Sequence, residues 1–122
     1  MRTKYGSMAQ RRVKKLLFDA RSAGETIAAF TSGKSFEDYL KDAMLRSAVE
    51  RQFEIIGEAL RHAIDVDPEL ETKISETRRI VDFRNRLIHG YADISPRVVW
   101  GIIEEHLPRL MMELERLLAE ME

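Results

Sequence analysis

The segment RNRLIHGYADI, residues 84 to 94, crowds chemically capable side chains into one short stretch: Arg84, Asn85, Arg86, His89, Gly90 and Tyr91. Arg84 offers a permanent charge and a flat, two-pronged donor suited to a phosphate. His89, with an ordinary pKa of about 6.5, gives or takes a proton near neutrality. Those two functions suffice for metal-free RNA cleavage by internal attack of the 2′-hydroxyl, one group stabilising the phosphorane charge and the other moving the proton. Asn85 can orient the histidine or a phosphate oxygen, and Arg86 joins Arg78 and Arg79 in making the segment locally positive. On an ideal helix, positions 84 and 89 lie about 140° apart and do not share a face. If Gly90 ends the helix, however, His89 sits in a fraying last turn and can swing toward Arg84. Cleavage needs both a base and an acid, so a single copy is incomplete. Two copies related by a two-fold axis would supply both.

The same residues have a purely structural explanation. Cations in the last turn of a helix complement its dipole, and from spacing alone this cap is the stronger reading. The remaining histidines carry less. His62 precedes Asp65 by three residues, which gives at most two ligands on one helix face where a metal site normally needs three or four. A surface histidine is the expectation there, and His106, between two glutamates and Leu107-Pro108, reads as solvated or at the bundle edge. There is no glycine-rich phosphate loop, no HExxH and no nucleophile elbow. Neither a metal nor a cofactor is expected.

The elements that must position this segment are helical. Val13, Leu16, Leu17, Ala20, Ile27 and Phe30 recur at helical spacing from about Gln10 to Phe30. The run TSGK, residues 31–34, ends that helix, and Ser35 with Asp38 forms a capping box for a short helix that turns Phe36, Tyr39 and Leu40 inward. After a bend near Asp42, a long helix spans roughly 42 to 64, with a stripe of Leu45, Val49, Phe53, Ile56, Leu60 and Ile64. A second row, Met44, Ala48, Ile55 and Ala59, widens that face enough to contact more than one neighbour. Gly57 within it costs about 1 kcal/mol of helix propensity relative to alanine, and a close helix crossing is the expected compensation. DVDP, residues 65–68, breaks the chain. The motif helix then runs from about Ser75 to His89, burying Ile80, Phe83 and Leu87, with Gly90 as a left-handed terminator. Ser95 and Pro96 start the last helix, whose buried row is Val99, Ile103, Leu107, Leu110, Leu114 and Leu118. Pro108 should kink it near Glu104, whose carbonyl loses its partner. With no strand pattern and no repeat, the expected fold is all-α: an up-and-down bundle of four main helices plus the short one.

Composition agrees with one such domain. The chain has 122 residues, 34% of them charged, and a formal net charge of −1, so no global basic field marks a nucleic-acid binder, although a local basic cleft is compatible with it. The absence of cysteine excludes disulfides and thiolate metal sites. No apolar run approaches the roughly 18–20 residues needed to cross a bilayer, and the expectation is a cytoplasmic protein without membrane contact. Gly6-Ser7 before a second methionine, Met8, marks residues 1–7 as a possible added leader and residues 8–122 as the single domain.

In this helical context the segment resembles the Rx4HxY motif of the HEPN superfamily, in its HepT-like branch. Arg84 stands as the motif arginine, NRLI fills the variable positions, and His89, Gly90 and Tyr91 complete the motif. Asn85 matches the polar residue favoured directly after the arginine. RSAVERQFEIIGEAL, residues 46–60, is similar to the family's long central helix, and VVWGIIEEHLPRL, residues 98–110, to its last. The resemblance extends over nearly the whole chain from Met8 onward and reverses the preference for a simple cap. It implies an all-helical homodimer acting as a metal-independent endoribonuclease toxin, with Arg84 and His89 in a cleft at the dimer interface. It also implies a cognate antitoxin, a minimal nucleotidyltransferase of the MntA type, that silences the toxin by transferring AMP to Tyr91. Two other readings stand beside it: a non-catalytic helical partner that presents substrate to such a nucleotidyltransferase, and a structural helical dimer whose motif is only a cap.

Overall fold

Helix α1 (Ser7–Thr31) forms because its apolar residues repeat at three and four. Its buried row is Val13, Leu17, Ala20, Gly24, Ile27 and Thr31. The computed structural model describes residues 7–90 and 94–121, and Tyr91, which carries one of the sequence-based expectations, lies outside them. Phe30, expected in this row, is exposed instead. Ile27 and Thr31 occupy the two inward places four residues apart, and Phe30 falls about 100° to one side of Thr31. The buried Thr31 hydroxyl is satisfied by donating to the Ile27 carbonyl at 2.9 Å.

The expected capping box starts α2 (Phe36–Lys41): Asp38 N–H donates to Ser35 Oγ at 3.1 Å, and Ser35 N–H donates to Asp38 Oδ2 at 2.9 Å. Tyr39 is wholly buried, with its ring 5.4 Å from that of Trp100, whereas Leu40, also expected inside, is exposed one position further round this short helix. Asp42 ends α2 and caps the next helix through Leu45 N–H, so one residue makes the bend.

Helix α3 (Ala43–Val66) is the centre of the molecule, packing on α1 along one side and on α5 along the other. Leu45, Val49, Phe53, Ile56 and Leu60 are buried as expected, while Ile64 is half-buried and the second row begins with an exposed Met44. DVDP does break the chain, and the one-turn helix α4 (Leu70–Lys73), absent from the sequence-based expectation, follows it. It buries Leu70, with Ile74 just beyond it, and two apolar residues four apart are too few to show a helical period in the sequence.

Helix α5 (Thr77–His89) carries the motif. Phe83 anchors it edge-on against Phe53 of α3, ring centroids 5.3 Å apart. Such burial contributes roughly 1.5–3 kcal/mol, more than any exposed ion pair on the same helix. The last main helix is broken as Pro108 requires. Helix α6 (Pro96–Gly101) passes into a π-helical turn, Ile102–His106, before α7 (Leu107–Glu120), and Leu107 N–H reaches back to the Ile102 carbonyl. Helix α7 packs on α1. The all-helical bundle is therefore the expected one, with α1, α3, α5 and the interrupted α6–α7 as its main helices and α4 as an addition.

Gly57 meets α5 where the sequence asks for a close crossing. A Cβ there would lie 2.3 Å from Cβ of Arg84 and 3.4 Å from the Ile80 carbonyl oxygen. The obstruction is at the root of a side chain, so the helices themselves would have to part. Gly57→Ala is therefore expected to lower stability by about 1–3 kcal/mol from overpacking, outweighing the roughly 1 kcal/mol gain in helix propensity. Urea denaturation checks the sign, and a more stable variant would mean that the crossing is not tight.

Candidate functional site

The site grows from the α3–α5 crossing. Because Gly57 has no side chain, the stem of Arg84 lies directly on α3 and its head is delivered to Glu58, the next residue along. Arg84 Nη2 and Glu58 Oε2 form a close ion pair, although no donor is aligned on that oxygen as a proper hydrogen bond. The arginine side chain keeps only 19% of its exposure, against 37% for the glutamate. Arg84 Nη1 donates to Asn85 Oδ1 at 2.8 Å, so Asn85 orients the arginine. The buried Nε–H has no acceptor among the described residues.

The other oxygen of Glu58 is also occupied. Oε1 accepts from Arg61 Nη2 at 3.1 Å and from His62 Nε2 at 2.8 Å. A carboxylate can only accept, which places the proton of that imidazole nitrogen on Nε2. Desolvation is the largest single influence on Glu58 and pushes its pKa up. The hydrogen bonds from Arg61 and His62 and the charges of Arg84 and Arg61 together outweigh it, and the carboxyl is held below the usual glutamate range. Arg84, Glu58 and His62 line one groove with Leu16 and Asp19 of α1, Arg51, Glu54 and Ile55 of α3, and Ile88 of α5.

His89 is the last residue of α5, and Gly90 follows it in the left-handed conformation at φ 60°, its N–H donating to the Arg86 carbonyl. His89 is thus helical, exposed, and five positions from Arg84, about 140° around the axis. One protomer brings Arg84 and Asn85 together but leaves His89 off their face. Arg86 lies on the far side of α5, in a separate groove with Phe83, Arg97 and His106. His106 is not simply solvated: its Nδ1 bonds Glu76 Oε2 and ties the π-helical turn to the start of α5. His62, expected at the surface, is instead a half-buried partner of Glu58. Among the described residues, no group of three or more His, Asp or Glu side chains is gathered as metal ligands, and no helix is long and apolar enough to cross a membrane.

Glu58 is the residue that sequence reasoning missed. The available signal was the mid-helix glycine beside it: a glycine that admits a neighbouring helix also brings the next polar side chain within reach of whatever that helix carries.

An all-α bundle with an arginine–asparagine pair on one helix, a histidine at that helix's end and a left-handed glycine after it defines a class, the HEPN-type helical domain. Residues 21–117 match the Ribonuclease HepT-like family, and the chain belongs to it. It is 36% identical over 104 residues to a protein of Thermococcus cleftensis named as a probable ribonuclease HepT, covering 85% of this chain and 94% of that one. It is 32% identical over 110 residues to a candidate RNase of Methanocaldococcus jannaschii, covering 88% and 98% respectively. A candidate RNase of Caldanaerobacter subterraneus is 35% identical over 88 residues, or 72% of this chain and 78% of its own length. No solved structure matches the chain.

The depressed Glu58 pKa has a definite consequence for acid stability. A group whose folded pKa lies below its unfolded value contributes stability above the unfolded value, about 4.3 for glutamate, and loses it as pH falls through the folded pKa. Wild-type protein should exceed Glu58→Gln in stability at pH 7, and the gap should close in acid. Denaturation midpoints of both proteins at pH 7 and near pH 3 test this. A gap that stays constant would mean that the ionised carboxylate contributes nothing.

Proposed function

We propose that the protein is a metal-independent endoribonuclease toxin whose active site is completed by a second copy of the chain. What supports this reading is family membership together with one geometric fact: Arg84 and His89 sit on different faces of α5. A single protomer offers the phosphate clamp and the proton-transfer group in different directions, while two α5 ends meeting across a two-fold axis can set both around one phosphate. The 2′-hydroxyl gives its proton to a neutral His89 as its oxygen attacks phosphorus. Arg84 stabilises the added negative charge, and the leaving 5′-oxygen takes a proton from the histidinium of the second copy. The products are a 2′,3′-cyclic phosphate and a free 5′-hydroxyl. Asn85 keeps the guanidinium oriented, and Arg86, on the opposite side of α5, adds to the positive charge of the helix as a whole.

Control follows from the same chemistry. Transfer of AMP from ATP to the Tyr91 hydroxyl by a cognate MntA-type nucleotidyltransferase would put a phosphodiester anion two residues from His89, where it competes with RNA phosphate for the arginine. The partners in this reading are a second copy, the RNA and that nucleotidyltransferase, in the cytoplasm and with no cofactor.

Purified wild-type protein should cleave RNA in EDTA and leave 2′,3′-cyclic ends. His89→Ala and Arg84→Ala should each lower the rate by at least about 100-fold, the usual scale for losing an acid–base group or a preorganised charge. Wild-type rates from His89→Ala would overturn the assignment. Incubation with ATP and the nucleotidyltransferase should add AMP mass to the intact protein and abolish cleavage, and Tyr91→Phe should prevent the adduct. An adduct of equal yield on Tyr91→Phe would place the modification elsewhere.

A further inference from the structure

We infer that Glu58 is a positioning residue for the proposed reaction: it fixes the Arg84 guanidinium in the groove, and Arg61 and His62 in turn fix Glu58. The inference rests on the ribonuclease reading but concerns a residue outside the RNRLIHGY segment, on a different helix. Its basis is geometric. An arginine has five N–H donors on a flexible stem, and a phosphate clamp works only if that fork is aimed before substrate arrives. Arg84 is aimed from three sides. Its stem lies on Gly57, which has no Cβ to displace it; Nη1 is held by Asn85 Oδ1, and Nη2 is paired with Glu58 Oε2. N–H groups remain on Nη1 and Nη2 for an anion.

Glu58 is itself prevented from turning away. Arg61 and His62, one turn along the same helix, both donate to Oε1, which leaves Oε2 directed at Arg84. This chain of support runs from His62 and Arg61 through Glu58 to Arg84, and every member except Arg61 lines the same groove. In the ribonuclease reading, a phosphate that meets Arg84 enters this groove. A carboxylate there repels that phosphate, so Glu58 weakens ground-state binding while it orients the arginine for the transition state. A plain structural ion pair would stabilise the fold without dividing the kinetics in this way.

That division is the test. Initial rates on a defined RNA oligonucleotide in EDTA are compared for wild type, Glu58→Gln and Glu58→Asp, with folding checked by circular dichroism melts. Glu58→Gln should lower kcat about ten- to a hundredfold, the cost of a misplaced group, with KM unchanged or lower. Glu58→Asp keeps the charge on a stem one methylene shorter and should recover part of the loss; should Glu58→Gln fail to fold, a lowered kcat with undiminished RNA affinity in Glu58→Asp carries the test. Because Glu58 acts through the arginine fork, Glu58→Gln placed in an Arg84→Lys background should change kcat less than twofold. Cleavage by wild type with an undiminished kcat in folded Glu58→Gln, or full additivity with Arg84→Lys, overturns the role of Glu58 and leaves the ribonuclease reading standing. Wild-type protein that cleaves no RNA overturns both.

Discussion

The approach of α5 to α3 at Gly57 is the constraint on which the rest of the site depends. With no side chain between the helix backbones, the Arg84 stem rests on α3 and its charge lands beside Glu58. Phe83, one residue earlier, seats edge-on against Phe53 and is buried there, with Ile80 and Leu87 packed against the same core. The partly exposed charges add little stability of their own. What they contribute is direction: the energetic part of the crossing is apolar and the directional part is polar. The two are adjacent in sequence, so helix α5 cannot dock without also aiming its arginine.

Much of this was legible in the residues. The capping box at Ser35 and Asp38, the bend at Asp42, the left-handed end at Gly90 and the close approach at Gly57 each rest on a local rule with a single physical cause, and each is present. The buried stripe of α3 was legible from spacing, but its margins were not. Phe30, Leu40 and Met44 are apolar residues at elements' ends, where periodicity says which way a side chain points but not whether any neighbour extends far enough to cover it. Helix α4 escaped because one turn is too short to show a period.

The motif residues could be named from the sequence, whereas the company of Arg84 could not. That Arg84 would pair with Glu58 depends on which helix α5 crosses and at what height, and nothing local to residues 84–91 contains that information. The same holds for His106. Its place after two glutamates suggests solvent, yet it reaches thirty positions back to Glu76 and joins the π-helical turn to the start of the motif helix. Long-range polar pairs are invisible to pattern reading because a hydrogen bond needs no periodicity.

The π-helical turn has an effect on phase. In an uninterrupted helix, the residue seven after Val99 completes two turns and falls on the same buried row; here that residue is His106. The wider turn at Ile102–His106 instead gives the inward place to Leu107, eight after Val99, and the core continues through Leu110, Leu114 and Leu118. One extra residue in the winding has exchanged an imidazole for a leucine at the core. The four-and-four spacing of Val99, Ile103 and Leu107 is the trace of that slip in the sequence. Pro108, which obliges the helix to loosen, thereby decides that this histidine sits at the edge of the bundle, half in water and half in contact with Glu76, instead of among the leucines.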